Sequence, residues 1–73
     1  MARVPEEITI RGDSIRLGQL LKLAGLAESG ADAKLLLADG GVTVNGELET
    51  RRGRRLVPGD VVAAGDEEVV VTA

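Results

Sequence analysis

The apolar pattern begins with Ile8 and Ile10, which share one face of residues 6–11 and predict a short strand. Gly12-Asp13-Ser14 interrupts it, and Asp13 or Ser14 is placed to cap a following helix. Over residues 15–24 the period changes. Leu17, Leu20, Leu21 and Ala24 recur at i, i+3, i+4 and i+7, which predicts an amphipathic helix with Gly18, Gln19 and Lys22 off the apolar stripe. Gly25 is a natural stop, because glycine reaches the left-handed conformation that ends many helices. Ser29-Gly30-Ala31-Asp32 has capping-box spacing, with Asp in place of Glu or Gln, and opens a second helix through about residue 38. Ala33, Leu36 and Leu37 make its inner face, Leu35 widens that face, and Lys34 is its only cation. Asp39-Gly40-Gly41 ends it. Residues 25–28 are so short a link that the two helices should be packed neighbours.

From residue 42 onward the pattern is that of strands. Val42-Thr43-Val44 leads into Asn45-Gly46, a strong hairpin signal. A three-residue loop, Asn45-Gly46-Glu47, would put Val44 opposite Leu48 and gather the apolar residues on one face. A two-residue loop would put Leu48 on the other face. The longer loop is therefore the expectation. Gly53 marks a turn, Leu56-Val57 returns to the core, and Pro58-Gly59 fits the central positions of a type II turn. Val61 to Ala64, Gly65-Asp66 and Glu68 to Thr72 read as a final hairpin. Strand, helix, helix and then several strands make an α+β chain, and 73 residues suffice for a single domain, 1–73, with its core over about 8–72.

Composition removes several classes of function. Ten Leu, nine Val and three Ile must build the core, because Phe, Tyr and Trp are absent. With no Cys and no His there is no Cys/His zinc site, no Ser-His or Cys-His nucleophile pair, and no imidazole acid or base. Nothing groups the remaining carboxylates and lysines into a catalytic or metal site, and no cofactor is implied. No apolar run approaches the ~18 residues that span a bilayer. The first seven residues carry no hydrophobic signal segment, so a cytoplasmic protein is expected.

Charge supplies the most specific feature. Nine basic and twelve acidic residues give −3, yet Arg51-Arg52-Gly53-Arg54-Arg55 packs four cations into five positions. Without those four the balance is five against twelve, or −7. The field of such a cluster reaches about one Debye length, ~8 Å at physiological salt, so it orients a partner rather than attracting one generally. Arginine's planar fork suits phosphate. Glu47, Glu49 and Asp60 lie near enough in sequence to absorb part of the charge in ion pairs, which is the alternative structural role. Lys22 and Lys34 are ordinary surface lysines unless the fold brings them beside the arginines. Single-strand readers stack bases on aromatic side chains at ~1–3 kcal/mol per base, a platform this chain cannot build. A nucleic-acid partner would therefore be a folded RNA, read through its backbone and shape.

The ordered set of Leu17-x-x-Leu20-Leu21-Lys22-x-x-Gly25, Glu28-Ser29-Gly30-Ala31-x-Ala33-Lys34, Gly41-Val42, Val44-Asn45-Gly46, Glu49-Thr50-Arg51 and Pro58-Gly59-Asp60 resembles the S-four (αL) RNA-binding domain family, and within it the small stand-alone bacterial branch that is YbcJ-like. The resemblance covers about residues 8–72. It implies an αL motif, two packed helices against a small, mainly antiparallel sheet, that docks structured RNA, with ribosomal RNA among the candidates. Carried over motif by motif, it marks Lys22, Ser29, Lys34, Asn45, Arg51 and Arg52 as RNA-facing, and Arg54 and Arg55 extend the same basic segment. Many members have Arg after the serine that opens the second helix. Here Gly30 follows Ser29, as in the YbcJ-like branch, which leaves the arginine segment with more of the binding. Two other classes compete with a non-catalytic RNA-binding module. One is a protein-interaction module whose arginines meet an acidic partner. The other is a β-grasp carrier, which needs a terminal Gly-Gly where this sequence reads Val70-Val71-Thr72-Ala73.

Overall fold

The computed structural model describes residues 5–73. The expectation about the chain's first residues falls in part on residues 1–4, outside the described residues. β1 (Glu6–Thr9) is followed by a two-residue strand β2 (Ile15–Arg16), helix α1 (Leu17–Leu23) and helix α2 (Gly30–Ala38). Then come β3 (Val42–Val44), β4 (Glu47–Leu48), β5 (Arg55–Leu56), β6 (Val61–Ala64) and β7 (Glu67–Thr72). Five strands form one sheet in the order β1-β7-β6-β3-β4, parallel only at β1/β7, and β2 pairs with β5 in a separate antiparallel ladder. This is the expected α+β arrangement of two helices with a mainly antiparallel sheet.

Period-2 alternation gives the sheet one covered face. Ile8, Val42, Val44, Val62, Ala64, Val69 and Val71 are buried, while Thr43, Val61, Ala63, Val70 and Thr72 between them are half-exposed. Against the buried face lie Leu17, Leu20 and Leu21 of α1, Ala33 and Leu37 of α2, and Leu56 of β5, in one cluster. None of the described helices is long and apolar enough to cross a membrane.

Three local expectations change. The hairpin turns through two residues: Val44 faces Glu47 and Thr43 faces Leu48. Asn45 has φ 52° and Gly46 φ 84°, the pair of left-handed residues a type I′ turn requires, and that twist matches the strands it joins. The turn outweighs the burial of one leucine, so Leu48 lies on the open face at 63% exposure. The first helix starts at Leu17, two residues later than the stripe implied, and its N-cap is Arg16 with no side-chain cap. Neither Asp13 nor Ser14 caps it, because Ile15 and Arg16 stay extended to pair with Leu56 and Arg55. Leu35 and Val57, placed in the core by sequence, are exposed; the second helix buries only Ala33 and Leu37 fully, with Leu36 half-covered.

The remaining turn chemistry follows the sequence. Ser29 Oγ accepts from the Asp32 N–H at 3.2 Å and caps α2. Val57-Pro58-Gly59-Asp60 is a type II turn, with Gly59 at φ 100° and the Asp60 N–H donating to the Val57 carbonyl at 3.0 Å.

Candidate nucleic-acid interface

The basic segment is a tight turn between β4 and β5. The Arg54 N–H donates to the Arg51 carbonyl at 3.2 Å, with Arg52 and Gly53 at its centre. Two backbone features hold it. The carbonyls of Arg54 and Arg52 accept from the first two helical N–H groups of α1, those of Leu17 at 2.8 Å and Gly18 at 2.9 Å. These are donors that a helix leaves unsatisfied at its start, so the loop replaces the missing side-chain cap. Gly18 permits the approach: a Cβ at that position would lie 3.2 Å from the Arg52 Cβ and 3.4 Å from its carbonyl oxygen. The third tie is Arg16 Nη1, which donates to the Gly53 carbonyl at 2.9 Å.

Glu49 holds the segment from the other side. Its side chain is buried, and its Oε1 accepts from the backbone N–H of Thr50 (3.1 Å) and of Arg51 (3.0 Å) and from Arg51 Nε (3.1 Å). Its Oε2 accepts from Arg54 Nη1 at 3.0 Å. The Arg51 side chain, its backbone N–H and then the Arg54 side chain, in that order of weight, lower the Glu49 carboxyl from 4.5 to about 2. The same contact raises the Arg51 guanidinium. A depressed carboxyl contributes its anchoring fully above pH 4.5 and loses it as pH falls through about 2. In a carboxyl-detected NMR titration Glu49 is therefore expected to stay ionised to about pH 2, with amides of residues 49–54 moving in step as it protonates. An inflection at the ordinary glutamate position would remove Glu49 as the anchor.

The structure sorts the candidate residues into groups. Arg51 and Arg54 are engaged by Glu49, although the Arg51 side chain remains 76% exposed. Arg52 and Arg55 form no ion pair among the described residues. Arg52 joins Lys22 and Arg16 around a groove of about 280 Å³ between α1, the start of α2 and the loop. The other walls are Gly18, Gln19, Gly30, Ala33 and Gly53, so three cations line the groove with no acid among them. Arg55 lies directly opposite Arg16 in the β2/β5 ladder, a like-charge pair that is unfavourable until an anion joins it. Lys34 is exposed one helical turn beyond Gly30, on the same side of α2 but outside the groove. Ser29 works as the α2 cap. Asn45 lies outside the groove: its Nδ2 donates to Asp60 Oδ1 at 3.1 Å and its Oδ1 accepts from the Val61 N–H at 2.9 Å, so both ends of its amide brace the sheet.

Sequence reasoning passed over Arg16 and Glu49. The signal for Arg16 was thin, one arginine ahead of an apolar stripe. Glu49 was noticed only as a neighbour that could absorb charge; that it is buried and takes two backbone donors follows from the turn.

The sequence profile of a family described as S4 domain matches residues 8–72. RlbA of Bacillus subtilis (strain 168), named a probable ribosome maturation protein, is 51% identical over 55 residues, covering 75% of this chain and 78% of its own. YbcJ of Escherichia coli (strain K12) is 44% identical over 59 residues, covering 81% and 84%. The solution structure of E. coli YbcJ, described as revealing an αL motif involved in RNA binding, superposes with a TM-score of 0.73 at 35% identity over 100% of this chain and 94% of that one. The 30S ribosomal protein S4e of Thermoplasma acidophilum shares the fold at TM-score 0.59 and 22% identity, over 80% of this chain and 31% of its own.

Proposed function

Because the chain belongs to the S4 domain family, we propose that it is a non-catalytic, single-domain RNA-binding protein of the bacterial cytoplasm that docks folded RNA, ribosomal RNA being the class to which the name of RlbA points. The observation that carries this reading is the acid-free groove in which Arg16, Lys22 and Arg52 converge. Within it, Gly30 at the start of α2 is exposed and has no neighbour within 4 Å of where a Cβ would stand, which leaves room for a phosphate there. Arg55, opposite Arg16, adds a fourth cation at the groove's edge, and Lys34 extends the surface along α2. Arg51 and Arg54 shape the loop through Glu49, with the outward part of Arg51 free to meet a phosphate. A net charge of −3 keeps the rest of the surface from binding RNA indiscriminately.

The test is titration of folded RNA hairpins with the full chain over a range of salt. Each phosphate neutralised contributes about 0.7–0.9 to the slope of log K against log salt, so three groove cations give a slope near −2 to −3. A flat salt dependence, or an association in cell extract that survives nuclease treatment unchanged, would overturn the reading in favour of a protein partner. The same assay has a gain-of-function arm. A Cβ at Gly30 would meet nothing within 4 Å, so Gly30→Arg adds a further cation at the groove wall without a clash. Affinity is expected to rise by about fivefold to tenfold and the slope to steepen by just under one. An unchanged slope would place the RNA elsewhere.

A further inference from the structure

We infer that a second groove, adjoining the first along α1, holds one unpaired nucleotide of the bound RNA. The inference rests on the RNA reading above. This groove, of about 660 Å³, lies where the end of β1 and the following loop meet α1. That volume is within the ~300–1,000 Å³ typical of small-ligand clefts, enough for a nucleotide. Gln19 and Lys22 line both grooves, so the two are continuous across the ridge of α1.

The chemistry of the second groove differs from that of the first. Arg11 and Lys22 supply cations, again with no acid among the lining residues. Between them lie Ile15 and Leu23, and Leu23 is 58% exposed although Leu17, Leu20 and Leu21 of the same helix are fully buried. Ser14 and Gln19 add uncharged polar groups to the wall, and the side chains of Arg11, Ser14, Gln19 and Lys22 make no hydrogen bond or ion pair among the described residues. A phosphate alone has no use for an aliphatic surface flanked by a hydroxyl and an amide. A nucleobase does: its apolar face can lie on Leu23 and Ile15, and its edge can meet Ser14 Oγ and the Gln19 amide, each both donor and acceptor. A base in a duplex keeps its edge occupied by its partner, so the occupant is unpaired. Its flanking phosphates then fall to Arg11 on one side and Lys22 on the other, and the strand continues into the first groove.

The test compares two RNA hairpins with the same stem, one fully paired and one carrying a single unpaired adenosine. Both are titrated with the full chain and followed by affinity and by amide spectra. The bulged RNA is expected to bind about tenfold tighter, equivalent to ~1.4 kcal/mol, and to shift amides in residues 9–15 and 19–23 that the paired RNA leaves in place. Leu23→Ala and Ser14→Ala, which line the second groove and not the first, should each remove most of that advantage while leaving the paired RNA's affinity unchanged. Equal binding of both RNAs, weakened alike by Arg52→Ala, would overturn this inference and leave the RNA reading intact. A bulge preference that persists in both variants, with the amides of residues 9–15 unmoved, would overturn it too by placing the base elsewhere. If neither RNA binds, both readings fall and the groove is left to a protein.

Discussion

Replacing Arg16, Lys22 and Arg52 together by alanine should weaken binding to folded RNA by a hundredfold or more and flatten its salt slope by about two to three. Hydrogen bonds to charged groups contribute ~1.5–3 kcal/mol each. Even at about 1 kcal/mol per cation the three losses multiply past a hundredfold, since each 1.4 kcal/mol is a factor of ten. The three residues belong together because they line one groove, not because they are adjacent in the chain. A companion variant with Arg51 and Arg54 replaced should behave differently. Those two lose contacts to Glu49, so the effect should appear as disorder in residues 49–54 and a shallower change in slope than the loss of affinity implies. If the pair Arg51 and Arg54 carried the salt slope and the groove triple did not, the assignment would be reversed. Arg16 also donates to the Gly53 carbonyl, so a thermal melt of the triple variant belongs beside the binding curve.

The largest expected effect on folding comes from Leu56→Ala. Leu56 is fully buried, pairs with Ile15 in the β2/β5 ladder, and is the first core residue after the basic turn. Truncating a buried leucine costs ~2–5 kcal/mol, through lost transfer energy and the cavity left behind. A 73-residue domain at ~0.05–0.15 kcal/mol per residue has only about 4–11 kcal/mol in total. Chemical denaturation should therefore show a midpoint that has fallen by about a fifth or more, and at the low end of that range no folded population at all. A midpoint within experimental scatter of the parent would mean that the ladder contributes little and that the two helices and five-stranded sheet stand without it. Leu23→Ala provides the contrast, because a leucine 58% exposed loses little on truncation.

How much could be read in advance depended on the range of the forces involved. The capping serine at 29, the stop at Gly25, the type II turn at Pro58-Gly59 and the apolar stripe of the first helix are set within a few residues, and all are as the sequence indicated. The start of α1 was misplaced because its partners are 37 and 34 residues away: the N–H groups of Leu17 and Gly18 bond the carbonyls of Arg54 and Arg52, and no local pattern announces that. The hairpin register failed for another reason. Burying Leu48 was set against the twist of an Asn-Gly turn, and the backbone preference prevailed. At the interface the arginine cluster was conspicuous by charge alone, yet charge did not separate the arginines that build the turn from those that face outward. That division depends on Glu49, whose burial is a property of the fold.

The carbonyls that cap α1 also determine how the basic turn behaves before RNA arrives. A free loop bearing four arginines would lose ~1–2 kcal/mol of backbone entropy for each residue ordered at an interface, which subtracts directly from affinity. Here that ordering occurs when the domain folds, because the same carbonyls complete the helix and the same carboxylate holds the turn. On the proposed reading the groove therefore meets RNA as a preformed template, and selection among RNAs rests on whose phosphates already match its spacing. An RNA that must bend to fit bears the whole cost of bending itself.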